Sequence, residues 1–451
     1  MSYTVSLSEV TGATPGHQGK DSLTITGGKP LYGEVTVRGA KNSVSKIMVA
    51  SLLTGAPCII HNVPEIDDVK IVSKMIEALG GVVKNDGEGN LWIQTKEINM
   101  ILPEALHSIA GKSRIPILFA GPMLARLKEA LVPELGGCNI GMRPVDYHLK
   151  ALEQLGVGIE QIPAGYHLAA QKLVGGNIKL DYPSVGATEQ VLLSAVLAEG
   201  KTEVSNAAIE PEIMDLIAVL QKMGAIISVD TDRVITIVGV KELHGFTHTT
   251  ITDRIEVASW ACAAFATNGK IFVRNARQFD IMTFLNKYRQ IGGQFEIVDD
   301  GIWFWRGTEL HAIPLETDVH PGFMTDWQQP FSILLTMVPG ASIVHETVYE
   351  DRFGYVDALN KMGANIQLYK ECLGGHTCRF GEKTYVHSAV ITGPTSLKGA
   401  DITIPNLRAG FSYVIAALAA TGTSTLRNIS LIRRGYEDFE DKLAALGAQI
   451  G

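Results

Sequence analysis

The sequence predicts an α/β protein made of six repeated units, three to a lobe. Three observations carry this. First, a glycine closing a helical pattern recurs six times: EALGG at Gly80, EQLGV at Gly156, QKMGA at Gly224, RQIGG at Gly292, NKMGA at Gly363 and AALGA at Gly447. The interval is about seventy residues, roughly twice that of common solenoid repeats, so globular lobes are favoured over a solenoid. Second, helices of small residues end at a further glycine: VASLLTG at Gly55, SAVLAEG at Gly200, AAFATNG at Gly269, LTMVPG at Gly340 and IAALAATG at Gly422. Third, a β-rich stretch closing on a polar residue follows each of these: APCIIHN, KTEVSN, KIFVRN, ASIVHE and TSTLRN.

Each unit reads strand, helix, strand, helix, strand, the pattern of an α/β fold. The second helix stops where a glycine can take the left-handed C-cap conformation at low cost. Residues 1–22 are expected to be a disordered tail. The first twenty are polar and rich in Gly, Ser and Thr, with no apolar core for a signal peptide. In the first unit, VRGAKNS sets Lys41 and Asn42 after a strand and a glycine, at a helix start. Backbone donors and the helix dipole favour an anion there, although a solvated lysine fits the same string.

The second unit departs from the rest. Where a plain turn is expected it carries PELGGCNIGMRPVD, with Cys138 behind two glycines and Arg143 close by. A cation near a thiol raises its thiolate fraction, so Cys138 reads either as a reactive thiol or as a small buried hydrophobe. In the third unit YPSVGATEQ opens a helix with Ser184, Val185 and Gly186, whose amides could hold a phosphate; neither GxxxxGK nor GxGxxG is present in a βα context. The joint between lobes is expected at KELHGFTHTTITDR, between the third and fourth units.

In the fifth unit HPGFMTDWQQP puts Asp326 just before an apolar helix, as a cap or as a base. In the sixth, the uncharged run from Ala409 to Leu426 reads as a buried helix, a turn and a strand, not a membrane span. Arg114, Arg143, Arg352, Arg408 and Arg434 stand at element boundaries in KSRIP, GMRPVD, EDRFG, NLRAG and RRGYED. Arginine pairs bidentately with carboxylate and phosphate, so together they could line an anionic cleft.

Composition excludes several classes. A net charge of −8, with 46% hydrophobic and 19% charged residues, is that of an ordinary soluble protein with no nucleic-acid or membrane partner. Five cysteines without paired spacing indicate free thiols in a reducing compartment, hence a cytoplasmic location. A metal at Cys372, His376 and Cys378 in CLGGHTC is set aside, because a zinc site needs about four ligands, usually in pairs, and no second pair exists.

Taken in order, GAKN, GGCNIGMRPVDYH, SVGAT, NAAIEPEI, TDRIE, HPGFMTDWQ, ETVYEDRF, NLRAG and RRGYEDFEDKLAALGA resemble the UDP-N-acetylglucosamine enolpyruvyl transferases, from about Leu23 to the C-terminus. The resemblance implies a two-lobed inside-out α/β barrel of six βαβαββ-type repeats. One lobe would span residues 42–250 and the other 23–41 plus 251–451. It implies transfer of the enolpyruvyl group of phosphoenolpyruvate to the 3-hydroxyl of UDP-N-acetylglucosamine, with no cofactor and an unknown oligomeric state.

By the same resemblance Asp326 is the base or hydroxyl-orienting carboxylate, and Cys138 the general acid or product-release residue. Lys41, Arg143 and Arg434 surround the phosphate of phosphoenolpyruvate, Arg352 and Arg408 its carboxylate, and Arg114 is a further cation. Asn42 contacts the amino sugar and Val348 the substrate. Pro144, Val145, Asp146, Tyr147, Ser184, Val185 and Gly186 contact the uridine diphosphate. Asn406 stands where the family usually has an acid, so a negative charge near Lys41 is missing. An enolpyruvyl transferase for another nucleotide and a non-catalytic UDP-sugar binder are the alternatives.

Overall fold

The structure is a computed structural model and describes residues 21–111, 113–133, 145–375, 378, 380 and 385–451. Among these, six sheets match the six repeats, five of four strands and one of three. The third unit shows the plan. Strand Asn177–Lys179 runs parallel to Lys201–Ser205, which pairs antiparallel with Ile235–Val238, and Ile226–Val229 closes the edge. The helices Val185–Ala195 and Pro211–Lys222 lie between these strands in sequence. The first five units therefore end in an antiparallel strand pair where the sequence pattern suggested one strand, while in the sixth the last strand pairs with the N-terminal strand.

The repeat devices are conformational. All six glycines of the LGG type have positive φ, between 87° and 102°, as a left-handed helix C-cap requires. Asn62, Asn206, Asn275 and Asn428, which close four of the β-rich stretches, are also left-handed, with φ of 58–67°. Asparagine tolerates that region better than most residues. The second unit has the three-stranded sheet, Glu129–Pro133, Gly165–Ala169 and Gly158–Ile162. A proline-led helix, Pro103–Ala110, occupies its sequence before the core helix, where other units supply a parallel edge strand.

Helices lie inside and sheets outside. Arg254–Ala266 and Thr325–Leu335 are buried at every residue, and a helix apolar all round belongs in a core. They pack against each other and against Leu407–Ala419. One hydrophobic core runs from Val44 to Phe246; the other joins Leu23–Val37 to residues from Val257 to Leu446. The N-terminal strands explain that junction. Ser22–Thr26 pairs with Thr423–Arg427 and Gln449–Ile450, while Tyr32–Thr36 runs parallel to Lys270–Arg274. Ser22, placed in the tail by the sequence reading, already belongs to a strand; residues 1–20 lie outside the described residues. Thr247–Thr249 returns to pair with Cys58–His61. The chain thus crosses between cores near residues 38–43 and 250–253, and Lys41 and Asn42 lie at the first of these crossings.

Candidate active site

Lys41 is the first residue of helix Lys41–Ala50, as the sequence suggested. It is not a solvated lysine. Its Nζ lies 2.7 Å from Asp253 Oδ2, and its backbone N–H donates to the same oxygen at 3.2 Å. Asp253 also caps the next core helix, accepting from Ile255 and Glu256 N–H through Oδ1. The Tyr436 ring lies 4.8 Å below the ammonium. Burial lowers the Lys41 pKa, but Asp253, Tyr436 and Glu256 outweigh it, and the net value lies above that of an ordinary lysine. The charge that Asn406 fails to supply is thus available from Asp253 and Glu256. Asn406 itself caps helix Leu407–Ala419, its Oδ1 accepting from Ala409 N–H at 3.0 Å.

Asp326 sits in the first turn of helix Thr325–Leu335, whose N-cap is Met324 with no side-chain cap. Its carboxylate is therefore not the cap. It is ion-paired with Arg352, whose Nη2 also donates to Thr325 C=O at 3.2 Å. Arg352 is 1% exposed. Among the described residues its Nε and Nη1 meet no hydrogen-bond partner. A buried guanidinium with donors to spare is costly unless something anionic uses them. Beside it, buried Glu346 accepts N–H groups of Val348 and Tyr349 at 2.8 and 3.0 Å and the Thr325 hydroxyl at 2.9 Å. This fixes the loop that carries Val348 and Arg352.

The Lys41 and Asp326 centres are linked. Trp327 Nε1 donates to Arg254 C=O at 3.3 Å, and the Arg254 guanidinium lies over the Trp327 ring. Arg254 also forms a buried two-point pair with Glu212 at 2.9 and 3.0 Å. On the other side Tyr436 stacks on Phe411, three residues beyond Arg408, at 4.7 Å between ring centroids. Arg408 lies in the first turn of helix Leu407–Ala419, and its side chain is outside the described residues. Arg434 donates from Nε and Nη2 to Asp68 Oδ1 at 3.0 and 2.8 Å, so a residue of the C-terminal unit reaches the first unit. Glu437 does the same, accepting from Glu65 N–H.

The two strings expected at the nucleotide also meet. Val145, Asp146 and Tyr147 open helix Asp146–Gln154, and Ser184 caps helix Val185–Ala195 by accepting from Ala187 N–H at 3.3 Å. The helices pack together. Gly186 faces His148 so closely that an added Cβ would lie 2.7 Å from His148 Nε2. Two helix N-termini side by side form an electropositive surface suited to a diphosphate. Asn42 follows Lys41 in its helix, half-buried, and Arg114 precedes the short Ile115–Phe119 helix, also half-buried. Cys138, Arg143 and Pro144 lie outside the described residues, as does His376.

Sequence reasoning did not single out Asp253, Lys46 or Glu189. Lys46 Nζ is 3.7 Å from Glu189 Oε1, linking the second turns of two core helices. Burial, with Glu212 and Glu210 adding to it against Lys46, pushes the Glu189 carboxyl up to about 7. A carboxyl balanced near neutrality beside a cation is common at functional sites. Asp253 lay within the quoted TDRIE string, where an aspartate before a helical pattern is a capping signal. The Lys46–Glu189 pairing had no local signature.

Known proteins resemble this chain. The profile of the EPSP synthase (3-phosphoshikimate 1-carboxyvinyltransferase) family matches residues 25–443. A UDP-N-acetylglucosamine 1-carboxyvinyltransferase of Protochlamydia amoebophila is 49% identical, covering 95% of this chain and 94% of its own. That of Chlamydia abortus is 46% identical over 94% and 97%. Among solved structures, the enolpyruvyl transferase NikO of Streptomyces tendae superposes with a TM-score of 0.84 at 23% identity, over 95% of this chain and 98% of that one. EPSP synthase of Acinetobacter baumannii gives 0.74 at 16%, over 95% and 99%. These two share the inside-out fold, and the sequence relatives narrow the assignment further. The chain belongs to the enolpyruvyl transferase family, among its UDP-N-acetylglucosamine 1-carboxyvinyltransferases.

Proposed function

We propose that this protein transfers the enolpyruvyl group of phosphoenolpyruvate to the 3-hydroxyl of UDP-N-acetylglucosamine and releases phosphate. The hydroxyl oxygen adds to C2 of phosphoenolpyruvate and its proton passes to a base. C3 takes a proton, giving a tetrahedral ketal. Phosphate then leaves C2, a proton leaves C3, and the vinyl ether remains. The observation that supports this best is the buried Asp326–Arg352 pair, with spare guanidinium donors, linked through Trp327 and Arg254 to the charged Lys41.

In this reading Asp326 orients the attacking hydroxyl and takes its proton, and Arg352 pairs with it while binding a substrate carboxylate. Arg408 shares that carboxylate. Lys41 and Arg434 stabilise the phosphate as its charge grows, with Arg143 from the loop. Cys138 supplies a proton to C3 or aids product release. Asn42 and Val348 contact the sugar end, Arg114 adds a cation, and residues 144–147 and 184–186 hold the nucleotide. The protein then works in the cytoplasm at the first committed step of peptidoglycan synthesis, and so bears on cell shape and division. Among the described residues no helix is long and apolar enough to cross a membrane.

The test is to mix purified protein with phosphoenolpyruvate and UDP-N-acetylglucosamine and follow inorganic phosphate. Release only with a different nucleotide, or binding without turnover under any condition, would overturn the reading. Asp326→Asn is expected to abolish turnover while nucleotide binding persists.

A further inference from the structure

A second cluster of chemically active side chains lies in the fifth unit, apart from the substrate residues. His345 ends the central strand Gly340–His345, and His387 immediately precedes its antiparallel partner Ser388–Gly393. Between them in sequence, the segment after strand Ile366–Tyr369 carries Cys372 and Cys378. One ligand atom from each of His345, Cys372, Cys378 and His387 lies within 4.8 Å of all the others. The second pair of ligands that CLGGHTC lacks in sequence is thus supplied by two strand ends.

From this we infer a structural zinc site formed by Cys372, Cys378, His345 and His387. Two thiolates and two imidazoles suit tetrahedral Zn(II), and the two negative charges neutralise the ion. In a filled site the donor atoms stand about 3.3–3.8 Å apart, so closure asks for movements of about 1 Å or less. The surroundings are those of a ligating shell. Tyr385 C=O lies 2.9 Å from His387 Nδ1, which sets the ring proton there and leaves the Nε2 lone pair facing Cys372 Sγ at 3.2 Å. Phe380 N–H donates to Cys378 Sγ at 3.3 Å. Leu373 N–H is held by Ser388 Oγ at 3.2 Å, and Gly375 N–H by Glu316. Gly374 lies flat on His345, where a Cβ would overlap the imidazole and the Glu316 carboxylate. The histidines are buried and Cys372 is exposed, which gives an ion a way in.

Four protein ligands leave no open position, so the role is structural. His345 directly precedes Glu346, which anchors Val348 and Tyr349 N–H. The ion would fasten Cys372 and Cys378 onto the strand that leads to Arg352.

The experiment uses the full chain without an affinity tag, dialysed against metal-free buffer after exposure to Zn(II). About one zinc per chain is expected to remain. Replacement by Co(II) should give tetrahedral visible bands with thiolate charge transfer, and chelation should lower Tm. Cys378→Ser and His387→Gln should each lose the retained metal, while Cys58→Ser keeps it. If the variants fail to fold, the cobalt spectrum of the unaltered chain decides. Absence of both retained zinc and that spectrum would overturn the proposal. So would a Cys372–Cys378 disulfide in the native protein, or zinc retention unaffected by both ligand variants.

Discussion

Asp253 binds the Lys41 ammonium at 2.7 Å with the same carboxylate that caps helix Arg254–Ala266, so one side chain both positions the Lys41 cation and starts a core helix. The two functions can be separated. Asparagine can still accept the N–H groups, but it removes the negative charge that neutralises the buried Lys41 ammonium. Asp253→Asn should therefore cost about 3 kcal/mol of stability by stranding a buried cation, and lower kcat/KM for phosphoenolpyruvate by about 100-fold. The sign follows from the raised Lys41 pKa. The stabilisation is fully present below the unfolded lysine value and is lost only as pH rises through the higher folded value, so the deficit should be constant from pH 6 to 9. Urea unfolding and phosphate-release kinetics check it. A variant of normal stability and kinetics would remove Asp253 from the site.

Arg434 and Asp68 form a different kind of pair. Both side chains are about one-fifth exposed, where water and salt screen the attraction to under about 1 kcal/mol. Asp68→Asn should hardly change the unfolding midpoint. Arg434→Ala should reduce kcat/KM for phosphoenolpyruvate by about 100-fold or more, because in the proposed mechanism it meets developing charge rather than holding the fold. Equal losses of stability in both variants would mean that the pair is structural.

The fold was legible because its devices are local. A glycine or asparagine with positive φ ends the same elements in unit after unit, and backbone strain makes those residue types visible in sequence. The helix start at Ser184 was legible for the same reason, since that serine is a local helix cap. What joins distant units was not. Nothing near Lys46 announces Glu189, and nothing in CLGGHTC announces His345 or His387; those partners are set by how strands and helices pack. Even Asp326, plausible as a cap, is defined by a partner, Arg352, in a loop beyond the next strand.

Glu189 gives the fold a pH dependence. Its folded pKa, pushed up to about 7 by burial, exceeds the ordinary glutamate value of 4.5. Between those values the folded state binds more protons than the unfolded one, so this group makes stability fall as pH rises from about 4.5 to about 7. Glu189→Gln should flatten that slope, seen as a smaller difference in urea midpoint between pH 5 and pH 7.5. An unchanged slope would show that Lys46 keeps Glu189 ionised throughout.

Gly186 tests the meeting of the two nucleotide strings. A Cβ there would lie 2.7 Å from His148 Nε2 and 2.9 Å from Cε1, closer than nonbonded atoms tolerate. Gly186→Ala must push the Asp146–Gln154 helix away or turn the imidazole. Overpacking of this kind costs about 1–3 kcal/mol. If both helix starts hold the uridine diphosphate, KM for the nucleotide should rise about tenfold or more while kcat changes little, since the reacting atoms are elsewhere. His148→Ala removes the obstacle, so the double variant should recover most of the stability and part of the nucleotide affinity. Recovery of stability with no recovery of affinity would place the nucleotide on other residues and leave this pair as packing alone.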